Sequence, residues 1–172
     1  LEIISGYDDV VDILVSEPDT GIYNAMNKGV MLAEGKYTIF LNGDDHLLAE
    51  GFNSALIMLY TDAPEILSCQ SDVFERTGLK GARLSPSLWK LYFFNSIPHL
   101  STFVSTSLQK KYGFREQFKI AADYDLFLRM YINGHHYTLS ELITAVHYRG
   151  GVSSDTVVSN CEIQNIRKNN LG

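Results

Sequence analysis

Hydrophobic and polar positions follow each other in blocks that predict strands and helices in turn. Residues 10–16 form a short apolar run that predicts a buried strand, and a Pro- and Gly-containing turn ends it. Apolar side chains then recur at helical spacing from Ile22 to Ala33, with a polar stripe opposite and Gly35 as a stop signal. Residues 37–41 are aromatic and β-branched, which predicts a strand that ends in an acidic turn at residues 42–45.

The rest of the chain continues this alternation. The pattern predicts a helix at 50–60, a strand at 66–74, a surface excursion at 75–87, helices at 106–112 and from Asp123 to Gly134, one or two strands at 136–148, and a polar tail. Alternating strands and helices predict an α/β domain with a largely parallel sheet flanked by helices. Ligands bind beyond the carboxyl ends of strands in such sheets, so the acidic turn lies where a site is expected.

Composition and charge narrow the class of protein. A length of 172 residues predicts a single domain, and 45% hydrophobic with 20% charged residues excludes a disordered, collagen-like or coiled-coil chain. A net charge of −6 argues against a nucleic-acid groove. The longest apolar runs fall far short of the roughly 20 residues that span a bilayer. Cys69 and Cys161 are typical of reduced thiols in a cytosolic protein, and the start at Leu1 rather than Met indicates a fragment of something longer.

The acidic turn offers the first candidate chemistry. Asp44 and Asp45 follow a hydrophobic strand through Gly43, and paired carboxylates suit Mg²⁺ or Mn²⁺, which would neutralise a diphosphate. The alternative is an Asn-Gly hairpin turn with exposed acids. The two interpretations are about equally supported by these residues alone.

Asp123 opens an apolar-rich helix and has two interpretations. One is a helix N-cap, for which Asp is a preferred residue. The other is a general base kept ionised by the positive end of the helix. Spacing alone favours the cap, and one residue can serve both purposes. In the same way, the turn at residues 17–21 precedes a helix start that is either an anion site or a capped, solvated face.

Histidines and aromatic residues give weaker signals. No tight cluster is formed by the five histidines, which are His46, His99, His135, His136 and His147. Each is predicted to be structural rather than a ligand. For His147 both interpretations stay open, because it lies near the end of the last predicted strand. The aromatic run at 89–94 favours core packing; the alternatives are a sugar-stacking platform and a contact with a membrane surface.

Three segments together resemble family 2 glycosyltransferases of the GT-A fold, in order as well as in separation. They are residues 16–29 (SEPDTGIYNAMNKG), 35–45 (GKYTIFLNGDD) and 121–129 (AADYDLFLR). Further pieces at 98–103 (PHLSTF) and 150–153 (GGVS) are similar to the bacterial branch that builds capsule, colanic-acid-like or O-antigen polysaccharides. The resemblance covers most of the chain and implies a GT-A-like, Rossmann-like domain.

The resemblance assigns roles to individual residues. It implies that Asp123 is the catalytic base that deprotonates the acceptor hydroxyl. It implies that Asp45, Asp44 and His147 hold Mg²⁺ or Mn²⁺, with Asp45 as the better candidate for the direct contact.

The same resemblance implies the substrate-binding residues. Glu17, Asp19 and Asn27, together with Asp44, are expected on the side of the donor nucleotide and its diphosphate. His99 and Trp89 are expected on the acceptor side. Residues 1–74 then form the donor and metal half of one domain, and residues 75–172 form its acceptor half.

The activity implied is an inverting, metal-dependent hexosyl transfer from a nucleoside-diphosphate sugar to an acceptor hydroxyl in surface-polysaccharide biosynthesis. The acceptor is a carbohydrate or a lipid-linked glycan, and no nucleic acid is expected. The implied location is the cytoplasm, with peripheral contact at the inner face of the plasma membrane.

Several positions depart from the family pattern. Asn42 replaces the first acid of the turn, Ala122 replaces the Glu before the base, and Met26 replaces an Arg near the phosphates. The opening strand and the second strand with its acidic turn are absent from this sequence, and residues 1–9 resemble the helix that follows them. The alternative function is therefore a catalytically silent, glycosyltransferase-like binding or scaffold domain. A phosphate-handling enzyme is disfavoured because no D-x-D-x-T/V or P-loop motif occurs.

Overall fold

The computed structural model describes residues 4–7, 9–75, 77–148 and 156–172. The helices are α1 (Ile22–Leu32), α2 (Ala49–Thr61), α3 (Thr106–Tyr112), α4 (Ala122–Ile132) and α5 (Thr156–Leu171), with short 3-10 turns at Ile4–Tyr7, Trp89–Tyr92 and His99–Ser101. The strands are β1 (Tyr37–Thr38), β2 (His46–Leu47), β3 (Ile66–Phe74), β4 (Lys80–Leu84), β5 (Thr102–Ser105) and β6 (Tyr137–Tyr148). The segment 150–153, which resembles the bacterial polysaccharide branch in sequence, lies outside the described residues.

The described strands form one sheet in the order β1-β5-β3-β6-β2, with β4 paired to β3. Helices flank this sheet, as predicted. The prediction of a largely parallel sheet is wrong for these strands, because β3 and β6 pair in parallel and the other pairings are antiparallel. For β4 the reason is its connection to β3, which is short enough only for an antiparallel return.

Most elements match their sequence signals. Helices α1, α2, α3 and α4 and strand β3 lie within a few residues of the predicted bounds. Residues 10–16 do not form the predicted buried strand; they run without strand pairing, and Val10 and Leu14 are 69% and 51% exposed. The polar tail contains helix α5, which was not predicted because this segment has few apolar residues.

Hydrophobic residues pack on both faces of the sheet. Successive residues of β3 alternate between the faces, as strand geometry requires. Ile66 joins the cluster around α4, which contains Tyr124 and Phe127, while Leu67 joins the cluster under α2. The predicted halves 1–74 and 75–172 interleave in this sheet, because β1 pairs with β5 and β2 pairs with β6.

Helix α2 approaches β6 closely at a glycine. A Cβ atom at Gly51 would overlap the backbone carbonyl oxygen of Ile143. We expect Gly51→Ala to destabilise the fold by about 1–3 kcal/mol, because one backbone must move away from the other. Gly29, inside α1, is the matched control: a Cβ there meets nothing within 4 Å, and alanine is expected to stabilise the helix by about 0.5–1 kcal/mol. Thermal unfolding of both variants tests this, and equal melting temperatures would contradict the close packing.

Candidate functional site

A cavity of about 1000 Å³ opens between the start of α1, the acidic turn, the segment after β4 and the start of α4. Four of the predicted site residues line it: Asp44, His99, Asp123 and His147. The acidic turn and the predicted base therefore face one shared space, although 79 positions of the sequence separate Asp44 from Asp123.

The acidic turn is locked by its own side chains and by β6. The Asp45 side chain is fully buried; its Oδ2 accepts a hydrogen bond from Asn42 Nδ2 at 2.8 Å, and its Oδ1 lies 2.9 Å from His147 Nδ1. The pairing of β2 with β6 brings the turn to His147. The hairpin interpretation is wrong, because the strands that flank the turn pair with β5 and β6 and not with each other.

The residues of this turn have the chemistry of a hard-cation site. Within the described ranges, no three His, Cys, Asp or Glu side chains converge into a complete metal centre. Asp44 lines the cavity, and Asp45 and His147 are already in contact beside it. Two carboxylates and an imidazole fit Mg²⁺ or Mn²⁺ in sites where substrate phosphates complete the coordination.

Asp123 is the second residue of α4 and is held by three neighbours. Its Oδ2 accepts a hydrogen bond from Asn95 Nδ2 at 2.8 Å, and its Oδ1 accepts one from the backbone N–H of Tyr124 at 2.8 Å. The hydroxyl of Tyr23 lies 3.4 Å from the same Oδ1. The N-cap interpretation is wrong, because the cap position is Ala121; the carboxylate sits within the first turn, where the helix dipole favours its charge.

The loop before α4 is fixed from two sides. The Glu162 carboxylate of α5 accepts hydrogen bonds from the backbone N–H groups of Lys119, Ile120 and Ala121 at 2.6, 2.9 and 2.9 Å. Tyr23 donates its hydroxyl to the carbonyl of Ile120 at 2.6 Å. Burial, reinforced by the Asp123 carboxylate, raises the pKa of Tyr23 well above its ordinary value, so the phenol stays a donor.

His99 lies in an aromatic cage that faces the cavity. Its ring centroid is 5.2 Å from Phe40, 5.8 Å from Phe114 and 6.0 Å from Phe127. Burial lowers the pKa of His99, outweighing the opposite effect of the Asp123 and Asp45 carboxylates, so the ring is neutral at pH 7. Within the described ranges, its buried Nε2 has no hydrogen-bond partner.

Glu17 and Asp19, predicted on the donor side, are not among the residues that line this cavity. Both line a separate groove with Lys28, whose Nζ is 2.6 Å from Glu17 Oε1. Asp19 Oδ1 accepts the backbone N–H of Gly21 at 2.9 Å and so shapes the turn into α1.

Asn27, predicted on the donor side, connects helix α1 to the segment that follows α3. Its amide exchanges two hydrogen bonds with the backbone of Phe114, at 2.8 and 2.9 Å, and donates a third to Glu116 at 3.0 Å. These contacts attach α1 to the loop that leads towards α4.

The aromatic run at 89–94 is mostly outside the core. Leu91 is fully buried, but Trp89 is 63% exposed and is not among the residues that line the cavity. The core interpretation is therefore wrong for most of this run. Lys90 and Phe94, its neighbours, do reach the cavity wall.

The positions that depart from the family pattern have structural explanations. Asn42 orients Asp45, as described above. Ala122 is fully buried, so the side chain before Asp123 packs in the core and does not face the cavity. Met26 lines the cavity as an apolar group.

Three residues that position the site were not predicted from the sequence: Tyr23, Asn95 and Glu162. Asn95 and Glu162 carry no local signal, because each acts on α4 from a distant segment. Tyr23 lies inside segment 16–29, and the resemblance of that segment is a signal that could have pointed to it.

No protein-family model matches the chain. A PGL/p-HBAD biosynthesis glycosyltransferase of Mycobacterium bovis is 27% identical over 149 residues, which is 85% of this chain and 58% of the relative. The uncharacterized protein y4gI of Sinorhizobium fredii is 28% identical over 127 residues, 71% of this chain and 14% of that protein. The chain thus spans less than two thirds of the length of these relatives.

Solved structures share the fold. The Staphylococcus aureus TarS 1–349 structure in complex with UDP-GlcNAc superposes with a TM-score of 0.72 at 19% identity, over 96% of this chain and 51% of that chain. The complex of TarS 1–349 with UDP gives a TM-score of 0.71 at 17% identity, over 99% and 52%. These likenesses confirm the predicted α/β fold with flanking helices.

Proposed function

We propose that the protein is an inverting glycosyltransferase that moves a hexosyl group from a nucleoside-diphosphate sugar to an acceptor hydroxyl. The observation that carries this proposal is the single cavity that Asp44, Asp123 and His147 line together. The similarity to a mycobacterial glycosyltransferase supports sugar transfer in cell-surface glycan synthesis. The UDP and UDP-GlcNAc complexes of TarS support a nucleotide-sugar donor.

Asp123 performs the proton transfer in this proposal. Its carboxylate takes the proton of the acceptor hydroxyl while the acceptor oxygen attacks the anomeric carbon of the donor sugar. The bond from that carbon to the diphosphate oxygen breaks in the same step, and the nucleoside diphosphate leaves with the electron pair. One displacement inverts the anomeric configuration. Asn95 and Tyr23 hold the carboxylate in position.

Asp44, Asp45 and His147 would hold Mg²⁺ or Mn²⁺. When bound, such a cation neutralises the charge of the donor diphosphate and of the leaving group. Asn42 orients the Asp45 carboxylate from the side away from His147. His99, neutral and buried in its aromatic cage, forms part of the wall on the acceptor side.

The acceptor in this proposal is a carbohydrate or a lipid-linked glycan, and the reaction takes place in the cytoplasm in surface-polysaccharide assembly. None of the helices in the described part of the chain combines the length and the apolar character that crossing a bilayer requires. The proposed contact with the plasma membrane is a peripheral one.

We expect nucleoside-diphosphate binding to depend on the cation. Calorimetry of the full chain with UDP and Mn²⁺ should show binding that weakens by at least about tenfold when a chelator is added, since phosphates and protein share the metal. His147→Ala should weaken UDP binding in Mn²⁺ similarly, whereas His136→Ala, an exposed histidine elsewhere on the surface, should not. Equal affinity in chelator would contradict the metal site.

A further inference from the structure

A group of exposed aromatic side chains borders the mouth of the cavity. The group, here called the aromatic ledge, consists of Trp89, Tyr92, Phe93 and Phe94, which are 63%, 41%, 53% and 47% exposed. Phe94 and the intervening Lys90 also line the cavity. Single exposed apolar residues are ordinary, but a contiguous group of large ones marks an interaction surface.

The ledge is held rigidly outward. The loop that carries it is closed at its base by Ser87 and Ser96: the Ser87 N–H donates to the Ser96 carbonyl at 3.1 Å, and the Ser96 hydroxyl donates to the Ser87 carbonyl at 2.6 Å. Leu91 anchors the turn, since its side chain is fully buried and its carbonyl accepts the Tyr124 hydroxyl at 2.8 Å. The exposure of the rings is therefore part of the folded structure.

The chain segment around the ledge is strongly basic. No Asp or Glu occurs between Glu75 and Glu116, although the whole chain has 20 of these residues. The same segment holds seven of the 14 Lys and Arg residues. This stretch of sequence therefore has no carboxylate of its own to offset its cations.

Two cations lie directly on the ledge. The Nζ atom of Lys90 is 5.8 Å from the centroid of the Trp89 ring, and the guanidinium of Arg167, from α5, is 5.9 Å from that of Phe93. Lys80 and Arg83, by contrast, are engaged by the Asp72 carboxylate at 2.7 Å each, so they neutralise a charge of the protein itself.

We infer that the aromatic ledge docks the protein on an anionic phospholipid bilayer. Aromatic side chains concentrate at the headgroup level of membranes, and adjacent Lys and Arg residues are attracted by anionic lipids. The rings project from a turn, and Trp89 lies outside the cavity, which favours a flat surface over a single sugar as the occupant. Docking in this orientation places the cavity mouth at the membrane surface.

This inference does not rest on the proposed transferase activity, because its test needs neither donor nor acceptor. Trp89 is the only tryptophan, so its fluorescence reports on the ledge directly. The full chain is titrated with vesicles of phosphatidylcholine containing about one third phosphatidylglycerol, and with phosphatidylcholine vesicles alone. We expect a blue shift and co-sedimentation with the anionic vesicles, at least about tenfold weaker binding to the neutral ones, and loss of binding at high salt.

Variants separate the ledge from the rest of the surface. The pair Lys90→Ala and Phe93→Ala, made together to keep Trp89 as the reporter, should weaken vesicle binding by at least about tenfold. Tyr60→Ala is the matched control, because Tyr60 is an aromatic residue of α2 that is 89% exposed; its binding should equal that of the wild type. Unchanged binding of the double variant would overturn the inference. So would a blue shift that a soluble oligosaccharide produces without vesicles, which would assign the ledge to sugar stacking.

Discussion

Asp123→Asn is expected to lower sugar transfer by about 10²–10⁴-fold while nucleoside-diphosphate binding stays unchanged. The amide has the size of the carboxyl group, and its one oxygen can accept either from Asn95 or from the Tyr124 N–H, so the change removes one hydrogen bond without changing the volume of the side chain. It cannot take the acceptor proton, so the chemical step fails. Transfer is measured over a panel of nucleotide sugars with the full-length protein, and binding is measured by calorimetry with UDP and Mn²⁺.

Asp62→Asn is the matched control for that experiment. Asp62 is an exposed carboxylate at the end of α2, outside the cavity, so its variant should transfer sugar at the wild-type rate. Retained turnover in Asp123→Asn would remove Asp123 from the role of base. Absence of transfer by the wild type from every donor, with UDP bound, would support the silent binding or scaffold function instead.

Asp125→Ala is expected to cost about 3–5 kcal/mol of unfolding free energy. The Asp125 carboxylate is fully buried and accepts hydrogen bonds from Arg129 at 2.7 Å, Arg115 at 3.2 Å and Asn170 at 3.1 Å. Removing it leaves the buried guanidinium of Arg129 without its counter-charge, and this penalty exceeds the loss of an ordinary hydrogen bond. Urea unfolding followed by circular dichroism measures the change.

The comparison for Asp125 is the partly exposed carboxylate of Glu65. Glu65 is half exposed and lies 3.1 Å from His135 Nδ1, so Glu65→Gln should cost less than about 1 kcal/mol. A similar small loss for Asp125→Ala would mean that Arg129 finds new partners. The carbonyl groups of Tyr112 and Gly113, which it already contacts at 3.1 and 2.7 Å, would then be enough for it.

Elements whose residues carry their own signal were predictable from the sequence. Strand β3 was predicted with its observed bounds, because apolar residues recur along it and turn residues flank it. Helix α4 carries apolar residues around most of its surface and ends before Gly134. The run at 10–16 has an equally apolar pattern but no strand partner among the described residues, and composition alone cannot supply one.

Elements that depend on tertiary contacts were not predictable. Helix α5 has few apolar residues and is held by Ile166, which is fully buried, and by Glu162, which accepts three backbone hydrogen bonds from the loop before α4. The contact between Asp45 and His147 joins residues 102 positions apart. The local sequence pattern predicts that the acidic residues lie at the ends of strands and helices. Which side chains they contact depends on the pairing of β2 with β6, which that pattern does not show.

A crystal structure of the full-length protein with UDP and Mn²⁺ tests the proposed site most directly. We expect the diphosphate inside the cavity that Asp44, Asp123 and His147 line. We also expect a cation at about 2.0–2.3 Å from an acidic oxygen of the turn at 42–45, with Asp123 facing the vacant sugar position. A nucleotide seated in the groove beside Glu17 and Asp19, or a cation away from the acidic turn, would contradict it.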